Sequence, residues 1–273
     1  MEIPISTGNV RIDVTTDRQV TLAINNVPSS AISLNDPRFL AFEYMQQMDC
    51  IVDSLRPGSI RALHLGAGAC SLAWAWALKH PKSRQIAVDI DEELVRLIRQ
   101  WFELPAAPAL RIRAQDARAA IATTKPNNFD VIVRDVFSGN QTPTNLTTDE
   151  FGVSVRHALK EGGIYLANCA DKPPLNEVRK ELETLNSVFG ANQTALVAER
   201  GIINGKRYGN LTLIARKWTN TDRDNTDRDN TAEPLPALDN PALARALRSL
   251  AVPAVIISGD ELAEFLARRK VRS

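Results

Sequence analysis

The sequence lacks the features that mark membrane, exported, disulfide-rich and nucleic-acid-binding proteins. No apolar run approaches the roughly 20 residues that span a bilayer, and the opening MEIPISTGNV has neither the basic region nor the apolar core of a signal peptide. The three cysteines, Cys50, Cys70 and Cys169, match neither a zinc spacing nor a disulfide framework. The net charge of +1 comes without a long Lys/Arg block. We therefore expect a cytoplasmic protein with reduced thiols and a small-molecule ligand, without a metal and without a nucleic-acid or membrane partner.

The N-terminal part of the chain predicts a small β region followed by a helix. With 44% hydrophobic and 24% charged residues among 273, the chain has the composition of a globular protein. Apolar residues alternate between Val10 and Asn26, which predicts a β-hairpin. The following DPRFLAFEYMQQMDCIVDSL has helical spacing, with Asp36 as the expected N-cap and Pro37 in the first turn.

The middle of the chain repeats a cadence of short apolar strands and amphipathic helices. The predicted strands lie in RALHL, RQIAVDI, ALRIRAQD, FDVIVRDVF and IYLANCA. Such alternation is typical of a mostly parallel sheet with helices on both faces, joined by right-handed crossovers. TALVAERG and GNLTLIARK then predict a closing antiparallel hairpin. The predicted fold class is therefore α/β, a Rossmann-like sheet preceded by a small N-terminal β-hairpin region.

This pattern predicts that the whole chain is divided into four segments. Residues 1–38 form the small N-terminal β region and residues 39–217 the Rossmann-like domain. Residues 218–234 contain a tandem TDRDN repeat and predict a disordered linker, because they have too little apolar surface to offset the entropy of ordering. Residues 235–273 predict two short helices that are too small to fold alone and that dock back onto the main domain.

Candidate site residues follow the predicted parallel strands, where open α/β sheets bind their ligands. Gly66 and Gly68 stand in a turn between a strand and a helix, so that backbone amides can approach a ligand. Asp89 follows the next strand and can accept hydrogen bonds from a ribose, or alternatively cap a helix as Asp91 is expected to do. Asp116 also has two interpretations. It can accept a hydrogen bond from the exocyclic amine of an adenine, or it can cap a helix.

Asp135 is the candidate catalytic residue. It ends FDVIVRD, a predicted central strand, and a buried carboxylate facing a cleft is costly unless it has a partner or a task. His64, in contrast, is interpreted as a hydrogen-bonded core histidine, and Cys70 as a small residue that fills a glycine position. His80 and His157 lie near helix ends and are expected at the surface.

The motifs LHLGAGACS, AVDID, QDA and FDVIVRDVFSG together resemble those of class I S-adenosylmethionine-dependent transferases, and more narrowly the spermidine synthase family. The resemblance covers about residues 20–217. It implies transfer of an aminopropyl group from decarboxylated S-adenosylmethionine to a polyamine acceptor, with release of methylthioadenosine. It also implies a small β-domain before the nucleoside-binding domain, and a homodimer.

The resemblance assigns a role to each matching position. Gly66 and Gly68 would line the thioether portion of the donor, Asp89 would bind the ribose, and Asp116 with Ala117 of QDA would bind the adenine. Asp135 would help to take a proton from the attacking amine. The amine would be held by Glu43 and Tyr44 of FEY and by Ser138. These three last assignments come from the resemblance alone.

The chain departs from the family pattern at several positions. Ser138 stands where the family has a second acid and Gly139 where it has proline, while Cys70 replaces the third glycine. Two alternatives therefore stay open. One is an S-adenosylmethionine-dependent methyltransferase, although His64 stands where many methyltransferases have the acid that holds the methionine ammonium. The other is a non-catalytic nucleoside-binding protein.

Overall fold

The computed structural model describes residues 2–139, 141–218 and 236–268, which form two β-sheets and the helices around them. The strands are β1 Glu2–Ile5, β2 Gly8–Val14, β3 Gln19–Ile24, β4 Val27–Ser33, β5 Arg61–Leu65, β6 Arg84–Asp89, β7 Leu110–Ala114, β8 Phe129–Arg134, β9 Leu159–Asp171, β10 Thr194–Ala198, β11 Gly209–Arg216 and β12 Val255–Ser258. The helices are α1 Glu43–Leu55, α2 Ser71–Lys79, α3 Glu92–Trp101, α4 Ala117–Ala122, α5 Asp149–Ala158, α6 Asn176–Phe189, α7 Arg200–Ile203, α8 Pro241–Arg248 and α9 Gly259–Ala267.

The large sheet confirms the predicted fold class. Its strand order is β12-β10-β11-β9-β8-β5-β6-β7, and the strands from β9 to β7 are parallel. The predicted closing hairpin is present as β10 and β11, which pair antiparallel. Because β5 lies between β6 and β8, the chain first builds the sheet to one side of β5 and then to the other. Such a switch point opens a crevice at the carboxyl ends of the strands.

Both faces of the large sheet are buried, as expected for parallel strands. Along β8, Ile132 packs in the core beneath α5 and α6, whereas Val131 and Val133 pack in the core beneath α1 and α2. This alternation follows from the period of two in a β-strand. It also means that neighbouring residues at the end of β8 point to opposite faces.

The N-terminal region has four strands where the sequence predicted a hairpin. The predicted hairpin is present as β2 and β3, and β1 and β4 pair antiparallel on its two sides. The added strands, EIPI and VPSSAIS, contain proline and small polar residues and therefore have little strand signal. This small sheet packs on α2 and α3 through a third hydrophobic core.

The expected start of the first helix is wrong. Asp36 accepts hydrogen bonds from the amide and the Nε of Arg38, at 3.2 and 2.7 Å, and closes a local turn instead of capping a helix. The helix α1 begins at Glu43, with Phe42 as its N-cap residue. The helical spacing therefore begins six residues later than the Pro37 signal indicated.

The two predicted C-terminal helices are present as α8 and α9, and the segment between them is a strand. β12 pairs antiparallel with β10 and extends the large sheet, while α8 packs against α1. The predicted linker, residues 218–234, lies outside the described residues apart from Trp218. The domain boundaries and the homodimer stay predictions. Within the described ranges, no helix is long and apolar enough to cross a membrane.

Asp91 joins the small sheet to the large one. Its carboxylate caps α3 by accepting from the Leu94 amide at 2.7 Å, which confirms the expected cap. It also accepts from the amides of Ser6 and Thr7, at 3.0 and 2.6 Å, and from the Thr7 hydroxyl at 2.7 Å. Burial acts to raise the pKa of Asp91, but these hydrogen bonds outweigh it and hold the pKa below its usual value.

We expect Asp91→Ala to lower the free energy of unfolding by about 2 kcal/mol, because it removes a helix cap and the bonds to the small sheet. Urea unfolding at pH 7 measures the loss, with the neighbouring exposed residue changed as a control, Glu92→Ala. Since the folded pKa is lowered, the contribution is present at neutral pH and disappears as the pH falls below about 4. Equal stability of the two variants would contradict this role.

Candidate active site

A cleft of about 790 Å³ lies at the carboxyl ends of the parallel strands. Loops that follow β5, β6, β7 and β8 line it on the side of the large sheet. Residues of the small sheet and the first turn of α1 line the opposite side. The cleft is therefore built at the switch point of the sheet, between the two parts that Asp91 joins.

The glycine turn after β5 forms the floor of the cleft, and both predicted glycines are needed there. Gly66 has a φ of +83°, and a Cβ atom at this position would lie 2.2 Å from the carbonyl oxygen of Asp135. Gly68 has a φ of +49°, and its Cβ atom would lie 2.6 Å from the hydroxyl of Ser30. Any side chain would push the turn away from β8 or from the small sheet. Because Gly66 and Gly68 have no side chains, the turn can lie in close contact with Asp135 on one side and with Ser30 on the other.

Cys70 continues the turn in the left-handed conformation. Its φ is +62°, and it is the N-cap residue of α2. This backbone conformation favours glycine, in agreement with its interpretation as a residue at a glycine position. Burial raises the pKa of the Cys70 thiol to about 12, so that the thiol stays protonated at neutral pH.

Asp89 lies beside the glycine turn. Its carboxylate accepts from the Gly68 amide at 3.0 Å and from the Asp91 amide at 3.1 Å. Burial raises its pKa, against the effect of these two amides. Because Asp91 caps α3, Asp89 is left at the cleft wall as the acid that follows β6.

Asp116 and Ala117 line the cleft beyond Asp89, after β7. Asp116 is exposed and is the N-cap residue of α4, where its Oδ1 accepts from the Ala119 amide at 2.8 Å. The hydrogen bond to Oδ1 is therefore that of a helix cap. The same carboxylate, with its second oxygen Oδ2, also lines the cleft. Contact with an adenine stays a prediction.

Asp135 lies at the centre of the cleft with two hydrogen-bond donors. The Tyr44 hydroxyl donates to Oδ2 at 2.7 Å, and the Asn168 side-chain amide donates to Oδ1 at 3.0 Å. Burial raises the pKa of Asp135, while the two donors and the nearby Arg134 act to lower it. Burial also raises the pKa of Tyr44 far above its usual value, so that this hydroxyl remains a donor.

The three residues that are expected to bind the amine lie in different surroundings. Tyr44 is buried, contacts Asp135 and stacks on Phe42 with ring centroids 5.9 Å apart. Ser138 is exposed and lines the cleft three residues beyond Asp135. Glu43, the first residue of α1, is exposed and is not among the residues that line the cleft. The structure therefore brings Tyr44 and Ser138 to the site and does not bring Glu43.

His64 and His80 are both buried. His64 is 4% exposed and shares a hydrogen bond of 2.8 Å with Gln85, as expected of a core histidine. Burial lowers its pKa to about 4, so the ring is neutral at the cleft wall. The expectation that His80 is a surface residue is wrong, since it is 7% exposed where α2 ends against α1.

Ligand atoms of His80, Asp49 and Asp53 lie within 4.8 Å of one another, a spacing that suits a metal ion. Lys79 already donates to both carboxylates, and its Nζ lies 3.2 Å from Asp53. An ammonium group therefore occupies the space between the two acids. This cluster lies outside the cleft.

Two buried polar side chains close to Asp135 were missed in the sequence. Asn168 and Arg134 interrupt otherwise apolar strands, in IYLANCA and FDVIVRD, and both are buried. A polar residue inside a buried strand needs a partner, and this signal could have singled them out. Ser30, whose hydroxyl accepts from the Ala69 amide at 2.9 Å, gives no such signal because its contact depends on how the small sheet docks.

Comparison with known proteins identifies the family. The family model described as the spermine/spermidine synthase domain matches residues 72–198. Polyamine aminopropyltransferases of Neisseria meningitidis serogroups A and B are 30% identical over 205 residues, which cover 72% of this chain and 72% of each relative. The chain belongs to this family. A polyamine aminopropyltransferase of Vibrio vulnificus is 31% identical over 136 residues, 49% of this chain and 45% of that relative.

Solved structures agree with the family and with the fold. A probable spermidine synthase from Corynebacterium glutamicum has a TM-score of 0.84 and 32% identity, covering 100% of this chain and 95% of that one. Spermidine synthase from Thermotoga maritima, at 19% identity, and human methyltransferase-like protein 13, at 21%, have TM-scores of 0.56 and 0.58. They cover 86% and 85% of this chain, and 80% and 95% of their own. The latter two matches show the shared fold.

We expect Tyr44→Phe to raise the pKa of Asp135, because the lost hydroxyl donates to the charged form of the carboxyl group. Titration of the Asp135 carboxyl carbon by NMR measures the change. Tyr208→Phe is the matched control, since Tyr208 also lines the cleft but is 54% exposed. An unchanged or lower pKa in Tyr44→Phe would be the contrary result.

Proposed function

We propose that the protein transfers an aminopropyl group from decarboxylated S-adenosylmethionine to an amine of the polyamine class. The observation that carries this proposal is the partly buried Asp135 carboxylate, held by Tyr44 and Asn168 beside the glycine turn. Among the described residues that line the cleft, four are aspartates and none is lysine or arginine. Such a wall attracts cationic ligands, and both a sulfonium donor and an amine acceptor are cations.

In this proposal the donor lies across the ends of β5, β6 and β7. Asp89 accepts from the ribose hydroxyls, and Asp116 and Ala117 contact the adenine. Gly66 and Gly68 let the backbone approach the sulfonium portion. The family membership and the position of each residue along the cleft wall support these roles.

The acceptor amine lies next to Asp135. A free primary amine is almost fully protonated near neutral pH, so it must lose a proton before its nitrogen can attack. Asp135, or a water molecule that it holds, takes that proton. The nitrogen then bonds to the aminopropyl carbon next to sulfur, the carbon–sulfur bond breaks with its electron pair going to sulfur, and methylthioadenosine leaves. Burial raises the pKa of Asp135 and makes it a stronger base than an exposed carboxylate.

We expect Asp135→Asn to lower kcat on the order of a hundredfold or more while methylthioadenosine binding stays within about threefold, because the amide cannot accept the proton. Release of methylthioadenosine from decarboxylated S-adenosylmethionine with a panel of amines measures the rate. The rate of the parent protein should fall as the pH drops through the pKa of Asp135, at a higher pH than for an ordinary aspartate. Turnover in Asp135→Asn equal to that of the parent would remove the proposal.

A second candidate function is methyl transfer. It is favoured by one relative, an N-terminal histidine N-methyltransferase of Emericella nidulans, which is 32% identical over 106 residues, 37% of this chain and 19% of that protein. The neutral His64 ring at the cleft wall disfavours it, since it offers no charge to hold a methionine ammonium group.

Calorimetric titration separates these functions. With aminopropyl transfer, we expect methylthioadenosine to bind more tightly than S-adenosylhomocysteine, by about tenfold, because the amino-acid carboxylate would face a wall of aspartates that has no lysine or arginine among its described residues to pair with it. NAD serves as the control for a dinucleotide site and should bind weakest. The reverse ranking of the first two ligands would favour methyl transfer.

A further inference from the structure

A buried ion pair lies directly behind Asp135, on the opposite face of the large sheet. Arg134 precedes Asp135 at the end of β8 and is 0% exposed, and Glu181 of α6 is 5% exposed. The Arg134 guanidinium lies 2.9 Å from one carboxylate oxygen of Glu181 and 3.1 Å from the other. Because side chains alternate along a strand, Arg134 points into the core beneath α6 while Asp135 points into the cleft.

Arg134 also binds the backbone of two segments that line the cleft. Its Nη2 donates to the carbonyl oxygen of Asn168 at 3.0 Å, and its Nη1 donates to the carbonyl oxygen of Leu146 at 3.5 Å. Asn168 lies one residue beyond the last register pair of β8 and β9, which joins Arg134 to Ala167. The guanidinium therefore holds β9 at the point where regular pairing with β8 ends.

The same residue, Asn168, donates its side-chain amide to Asp135 at 3.0 Å. A chain of contacts thus runs from Glu181 through Arg134 and the Asn168 carbonyl to the Asp135 carboxylate. Its members are 5% exposed or less, apart from Asp135 at the cleft wall. A planar guanidinium with several fixed donors can bind a carboxylate and backbone carbonyls at the same time, which a lysine ammonium does with less geometric control.

We propose that Arg134, paired with Glu181, is a positioning residue for the transfer reaction. Without touching the substrates, it fixes the Asn168 segment, and through it the orientation and the charge state of Asp135. This inference rests on the proposed function for its kinetic consequence. Its structural consequence, the state of Asp135, does not depend on the reaction.

Several ionisable side chains lie close to the Arg134–Glu181 pair. Tyr165 and Cys169 of β9 lie close to Arg134, and Glu177 lies close to Glu181. Burial raises the pKa of Tyr165 and Cys169 well above their usual values, so both are neutral at working pH. Tyr44 and Arg134 are the ionisable groups that act on Asp135 itself. Burial also raises the pKa of Glu181, but the double variant described below lacks this residue, so a pH-dependent change in the double variant is assigned to Asp135.

The test replaces the pair with apolar side chains, in the double variant Arg134→Met and Glu181→Leu, since removing one partner alone would leave a buried charge and could unfold the protein. The matched control is Arg56→Met, which removes an ion pair of 2.6 Å with Asp130 near the other end of β8. Three experiments are made. Calorimetry measures methylthioadenosine affinity, carbon NMR measures the pKa of Asp135, and steady-state kinetics measures kcat and KM across pH.

We expect the double variant to bind methylthioadenosine within about threefold of the parent, because the donor lies across β5 to β7. Its Asp135 pKa should rise, since the nearby Arg134 charge is lost and the Asn168 donor is no longer held in place. Exchange of the Asn168 side-chain amide should become faster, which loss of the charge alone does not cause, and kcat should fall about tenfold or more with the acid limb of the pH profile moved upward. The control should leave the Asp135 pKa and kcat unchanged. Arg134→Lys with intact Glu181 should recover part of the loss.

A double variant that keeps the parent's Asp135 pKa and kcat would overturn the proposal, and so would a control that changes both equally. If the parent protein shows no turnover with any amine, the proposed function fails while the NMR arm still decides: in the double variant, faster exchange of the Asn168 side-chain amide together with a raised Asp135 pKa supports the positioning role, and parent-like exchange refutes it. If the double variant does not fold, Arg134→Lys replaces it, because a lysine keeps the positive charge beside Glu181 but has fewer fixed donors for the backbone carbonyls. There the positioning role predicts a weakened Asp135–Asn168 hydrogen bond, seen as faster exchange of the Asn168 side-chain amide, and parent-like exchange refutes it.

Discussion

Keeping one partly buried carboxylate, that of Asp135, in its charged form is the constraint on which the site depends. Desolvation disfavours the ionised form of Asp135, and the structure answers with donors from two separate elements, the Tyr44 hydroxyl on α1 and the Asn168 amide on β9. Each donor needs its own support. α1 must cover the sheet, and β9 must stay close to β8 beyond the end of their regular pairing. Much of the packing on both faces of the sheet therefore bears on the state of a single side chain.

The close approach of the glycine turn adds a second constraint. The turn after β5 contacts the backbone of Asp135 on one side and Ser30 of the small sheet on the other, in places where no Cβ atom fits. Asp91 ties the small sheet to α3 from the opposite direction. The two walls of the cleft are thus joined to the large sheet at several points, which suits a site that must align two substrates before reaction.

The sequence predicted the elements of the large sheet well, because period two and period 3.6 are direct signatures of strands and helices. It predicted the aspartates at the strand ends for the same reason, since position along a strand fixes the edge of the sheet at which a residue lies. It did not predict the start of α1, because Asp36 closes a local turn instead of capping the helix. Glu43 was assigned to the amine by resemblance alone, and it does not line the cleft. Contacts between distant segments, such as Ser30 with Ala69 or Arg134 with Asn168, have no periodic signal.

The strand β12 has a consequence for solubility. β10 would otherwise form an open border of the large sheet, with a row of unsatisfied amide and carbonyl groups able to recruit a strand from another molecule. β12 covers this border along four residues and is itself too short to act as an efficient template. The C-terminal extension therefore leaves a four-residue strand at this edge of the sheet in place of β10, a contribution that is independent of the chemistry in the cleft.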